Sequence, residues 1–194
     1  MEKEQLTPSE SLALITRVIA EARSKFRDNG FSFILLGICT ALASIGQFFL
    51  LQLKYYKINY YPYFIMPLAG LVVYFYYASK RKKLKVRNII GSTLSLQGII
   101  IGLNLLLLGF FFWEILGVAL FPVMFVLMAL LLMSAGTLIR YKAFIISGVL
   151  VNMIAYLTIF IDRAYHPLML TLVALIAFII PGLILQYSAK ENHV

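Results

Sequence analysis

Between Ile89 and Ile139 the chain carries one ionisable side chain, Glu114. An unbroken helix over that run would be about 75 Å long at 1.5 Å per residue, against a hydrocarbon core of about 30 Å. The run must therefore turn back on itself. Phe110-Phe111-Phe112-Trp113-Glu114, followed by Gly117, marks the place. Aromatic side chains favour the lipid–water boundary, and a charge among them is solvated there. The rest of the chain is similar in kind: 62% of its 194 residues are hydrophobic and 13% charged, with mean hydropathy +0.91. Soluble domains sit nearer 45–50% apolar and about 25% charged. The sequence predicts an all-α, polytopic membrane protein.

A helix needs about 20 apolar residues to cross the hydrocarbon. Runs of that size predict six transmembrane helices near 31–53, 61–79, 88–110, 117–139, 143–161 and 166–187. The second and third are separated by Lys80-Arg81-Lys82-Lys83-Leu84-Lys85-Val86-Arg87, which holds six of the seventeen Lys and Arg residues. A loop this basic stays on the cytoplasmic side and fixes the sidedness of every other segment. Fourteen Lys and Arg then fall inside, and three, Lys54, Lys57 and Arg163, fall outside. Both termini are expected in the cytoplasm of a bacterial-type plasma (inner) membrane, with short outer loops. The net charge of +9 is thus a topology signal, and no nucleic-acid partner is expected.

Residues 1–30 are polar and charged and lack the apolar stretch of a cleavable leader, so the first span is expected to direct insertion. Thr7-Pro8-Ser9-Glu10 reads as a capped helix start. Leu12, Ile15, Ile19, Ala22 and Phe26 then follow at helical spacing, a single apolar stripe. This predicts a cytoplasmic amphipathic helix over 1–30, ahead of a bundle over 31–190 and a tail at 191–194. The stripe suits the membrane surface or the bundle, or the groove of a partner protein.

No Asp, Glu, Lys, Arg or His lies well inside a predicted span. Such charges usually mark ion paths, proton relays or catalysis, so no enzyme activity and no cofactor is expected. Polar residues within spans are amides and hydroxyls: Gln47, Ser92, Ser95, Gln97, Asn104, Ser147, Asn152 and Thr171. Gln97 and Asn152 each follow a basic residue, Arg87 and Lys142, by ten positions. That puts both about 15 Å deep, near the midplane. Gln97, Asn104 and Asn152 are the candidate ligand-binding residues, for a small polar solute between the third and fifth helices. Hydrogen bonding between helices is the competing use.

Gly91, Ser95, Gly98 and Gly102 recur at helical spacing on the third span, as do Gly37, Ala41 and Ser44 on the first. Small residues let helices approach closely, within one bundle or between copies in a homo-oligomer. Outside, Glu114, Asp162, Arg163 and His166 lie near one interface, where a carboxylate pair with His could hold a divalent metal; their spacing is not diagnostic, short outer loops need polar residues for solvation, and no metal is expected. Cys39 is the single cysteine, so no internal disulfide forms. Three spans open with an aromatic residue or His before Pro: Tyr61-Pro62, Phe121-Pro122 and His166-Pro167. They suggest three parallel hairpin repeats. Six helices in a chain this short resemble the substrate-binding components of energy-coupling-factor vitamin transporters in size and helix count. The charged front departs from that pattern, and no residue is carried over.

Two functions follow as expectations. The first is a non-enzymatic anchoring, regulatory or interaction module. Its basic face, Lys80, Arg81, Lys82, Lys83, Lys85 and Arg87, would meet anionic lipid headgroups of the bilayer or an acidic cytoplasmic protein partner. The second is a small-solute carrier or ligand-binding component using the midplane amides.

Overall fold

The computed structural model describes residues 30–80 and 89–191. The stripe from Leu12 to Phe26, the basic residues from Arg81 to Arg87 and the last three residues of the tail lie outside the described residues. The fold is all-helical, with no strand among the described residues. Six rods appear. They are α1 (Gly30–Gln52), α2 (Ile65–Lys80), α3 (Ile89–Phe111), α4 (Leu120–Leu138), α5 (Lys142–Thr158) and a final rod of α6 (His166–Ala174) and α7 (Ile180–Glu191). Among the described residues four helical stretches are long and apolar enough to cross a membrane: Gly30–Gln52, Ser92–Phe111, Trp113–Leu138 and Arg163–Tyr187. Tyr61–Tyr76 and Lys142–Thr158 are shorter apolar helices.

The breaks between rods have local causes. α1 ends with Lys54 at φ 63°, Tyr55 N–H donating to Leu50 O at 2.9 Å and Lys54 N–H to Leu51 O at 3.0 Å. α4 ends in the same way, with Arg140 at φ 51°, Tyr141 N–H on Gly136 O at 2.8 Å and Arg140 N–H on Thr137 O at 3.2 Å. Both are Schellman turns with a basic residue where glycine is usual. The positive charge beside the last carbonyls favours it there. The turn expected near Phe110–Gly117 is present. α3 stops at Phe111, one helical turn spans Trp113–Leu116, and Gly117 takes φ 51° before a 3-10 turn (Gly117–Ala119) leads into α4. Pro62 sits in the 3-10 turn (Tyr61–Phe64) that leads into α2, and Pro122 and Pro167 sit in the first turns of α4 and α6, where a missing N–H costs nothing.

Between α6 and α7 the last rod widens into a π-helical turn, Leu175–Ile179, with Ile180 N–H reaching back to Leu175 O. Pro181 follows two residues after Ile179. Its ring needs room against the preceding turn and it has no N–H to give, which accounts for the widening.

The core lies among α1, α4, α5 and the last rod. Phe125, Phe144, Val151, Val173 and Ala177 are fully buried in it. Phe33 of α1 meets Phe144 of α5 at a tilt of 45°, with ring centroids 4.9 Å apart. The tightest pairings are α4 with α5 and α1 with α6 and α7. Glycine makes both possible. A Cβ at Gly136 would lie 2.8 Å from Ile145 N, and one at Gly30 would lie 2.7 Å from Gly182 O. α2 packs against α1, and α3 against α4. The closest pair, α4 with α5, joins the second expected hairpin to the third rather than lying within either.

Candidate functional site

The three candidate amides fall in three different settings. Gln97 lines a groove of about 600 Å³ between α3 and α4, together with Thr93, Ser134 and Thr137. Leu96, Ile100, Ile101 and Leu138 form its apolar walls. Asn104 is exposed further along α3, and its Nδ2 donates to Ile100 O at 2.8 Å, within its own helix. Asn152 is half-buried on α5 and does not line this groove. The expected neighbour of Gln97 was the fifth helix, but its groove partner is the fourth. The reason is that α3 packs on α4 and makes little contact with α5.

Inside the groove the hydroxyls are already engaged. Ser134 Oγ donates to Leu131 O at 3.0 Å, and Thr137 Oγ1 donates to Met133 O at 2.7 Å. Both bonds return to the same helix, leaving the Cβ and methyl groups as the groove-facing matter. The Gln97 amide has no hydrogen-bond partner among the described residues. Its chemistry is therefore that of one unpaired primary amide in an apolar trough.

Several polar groups buried in the core are joined to one another or to backbone. Ser44 and Thr171 share a 2.7 Å hydrogen bond between α1 and α6. Tyr63 Oη donates to Gln47 Oε1 at 2.8 Å, tying the entry of α2 to α1. Thr40 Oγ1 donates to Leu36 O at 2.7 Å and lies 3.6 Å from Met66 Sδ. Gln47 and Thr171 were named from sequence; Thr40, Tyr63, Ser134 and Thr137 were not. Ser134 and Thr137, three residues apart on a run otherwise apolar, are the pair whose spacing placed them on one face.

At the end of the bundle where α6 begins, Asp162 Oδ1 accepts from Ala164 N at 3.1 Å, forming the turn into α6. His166 is fully buried, with Nε2 at 3.1 Å from Ile161 O and its ring edge-on to Phe121 at 5.5 Å. Nδ1 has no hydrogen-bond partner. The neutral tautomer with the proton on Nε2 satisfies this geometry. Among the described residues no three His, Cys, Asp or Glu side chains gather as a metal-binding group.

Among the described residues these features define an all-helical protein with several helices apolar enough for a bilayer and a lateral groove between α3 and α4. Compared with known proteins, the chain matches no family model, no curated protein and no solved structure.

Proposed function

We propose that the chain is an integral membrane protein crossing a bacterial-type plasma membrane six times, with both ends in the cytoplasm. In this reading it is a non-enzymatic module that presents its basic cytoplasmic face to anionic lipid and to a protein partner. The observation that carries it is α3. Leu96, Ile99, Leu103 and Phe111 are all exposed, and only 6% of its apolar window is buried. Water does not tolerate an apolar rod in that state, whereas lipid requires only that its backbone be bonded internally, as a helix provides. The shorter helices suit the same reading, since 16–17 residues reach about 25 Å, the lower limit for a span. The engaged hydroxyls of the core favour a structural role for them over chemistry.

Orientation is tested by cysteine labelling in intact cells. Cys39 is buried and the single native thiol, so Cys39→Ser provides a clean background. Glu114→Cys and Asp162→Cys should react with an impermeant maleimide added outside, and Arg140→Cys should not. The reverse pattern overturns the sidedness, and release of the protein by alkaline carbonate overturns the membrane reading. For the docking role, reversing the charges at Lys80–Lys83 should abolish capture of a protein partner after mild solubilisation. Unchanged capture sinks that role.

A further inference from the structure

We infer that the groove between α3 and α4 holds one acyl chain of an anionic phospholipid from the cytoplasmic leaflet, with its headgroup at the basic mouth. This rests on the membrane reading above and adds a specific occupant to it.

Geometry is the first argument. The groove begins at Thr93 and ends at Ile101, about 6 to 18 Å along α3 from Ile89. That depth is one leaflet of a hydrocarbon core about 30 Å thick. A soluble solute has no reason to match it, and a lipid chain does. Wall chemistry is the second. Ser134 and Thr137 donate back to their own helix, so the trough offers methyl and methylene groups along its length. A small polar solute would find one amide there, too few groups to fix it.

Charge is the third argument. The deep walls are neutral, and two cations stand at one end of the groove. Arg140 and Lys142, both exposed, follow within four residues of Leu138. Basic pockets between membrane helices on the cytoplasmic side suit anionic headgroups. Gln97 supplies the remaining polar contact. In a helix each Cα–Cβ bond tilts toward the N-terminus, so the Gln97 side chain leans toward the basic mouth. Its Nε2 is then a donor for an ester carbonyl of the lipid.

The full chain, exchanged into detergent and supplied with equal phosphatidylglycerol and phosphatidylcholine, is examined by native mass spectrometry. One phosphatidylglycerol per chain should be retained, roughly tenfold over phosphatidylcholine. Ser134→Phe should fill the groove and abolish retention; Ile100→Trp does the same from the exposed opposite wall, where folding is not at stake. Gln97→Leu should weaken retention of both lipids. The double change Arg140→Gln with Lys142→Gln should keep a lipid but lose the preference. Excess soluble glycerol phosphate should displace nothing. Equal binding of the two lipids by the native chain overturns the inference. So does retention that survives Ile100→Trp, or displacement by glycerol phosphate. If any of these occurs while the chain still resists carbonate extraction, the occupant is wrong and the membrane reading stands.

Discussion

Gly148 and Gly98 are the same residue in two apolar helices, and they sit in opposite circumstances. A Cβ at Gly148 would lie 3.0 Å from Ala129 O and 3.1 Å from Met133 N, in the seam between α5 and α4. At Gly98, and again at Gly102 and Gly109 on α3, a Cβ would meet nothing within 4 Å. The contrast extends to the aromatic residues. Phe144 of α5 is fully buried against Phe33 and Tyr141, whereas Phe111 at the end of α3 is 72% exposed. One part of the molecule is stitched by close backbone approach. The other, α3, leans on α4 and leaves most of its surface exposed. Small residues at helical spacing permit close packing, and only a neighbour makes use of them.

Four experiments break or sharpen this contrast, each read by thermal or denaturant unfolding in detergent. The largest effect belongs to truncation. Phe144→Ala should cost about 3 kcal/mol through the cavity it leaves, and Phe111→Ala should cost less than about 0.5 kcal/mol. Comparable losses would mean that α3 is packed as tightly as the core. Next come the glycines. Gly148→Ala or Gly136→Ala should cost about 1–3 kcal/mol, because the nearest atoms include backbone that cannot step aside. Gly98→Ala or Gly102→Ala should be neutral or gain up to about 1 kcal/mol from helix propensity. A loss at Gly98 would reveal a neighbour on that face, such as a second copy of the chain. Smaller still, Ser44→Ala removes the bridge to Thr171 and should cost about 0.6–1 kcal/mol; no change would mean that Thr171, which also donates to Pro167 O, satisfies itself. Last, Lys54→Gly should gain about 0.5 kcal/mol by relieving a left-handed residue. A loss there would mean that the lysine's interaction with the helix end outweighs the backbone strain.

The rods were legible because their signals are local. The third helix, expected over 88–110, is found at Ile89–Phe111, bounded by a charge run before it and an aromatic turn after it. Pro62, Pro122 and Pro167 announced three helix starts. Neighbour relations were not legible, for a physical reason. α3 and α4 are apolar around their whole circumference, so no stripe points at a partner. Gln97 was therefore assigned to the fifth helix, and Ser134 and Thr137 were passed over. The small-residue stripes show the same limit. Gly37 and Ser44 do meet neighbours, at Phe178, Ile179 and Thr171, whereas Gly98 and Gly102 do not, though the sequence writes both stripes alike.

The widened turn before Pro181 has a consequence for how the last rod tolerates change. A π turn carries one residue more than the α-helix it interrupts. Excising a residue between Leu175 and Ile179 would restore regular winding and swing everything after it by roughly 100° about the axis. Gly182 would then rotate away from Gly30, and the clasp holding the first rod to the last would open. That surplus residue works as an angular shim, setting the two halves of the rod to serve two different seams.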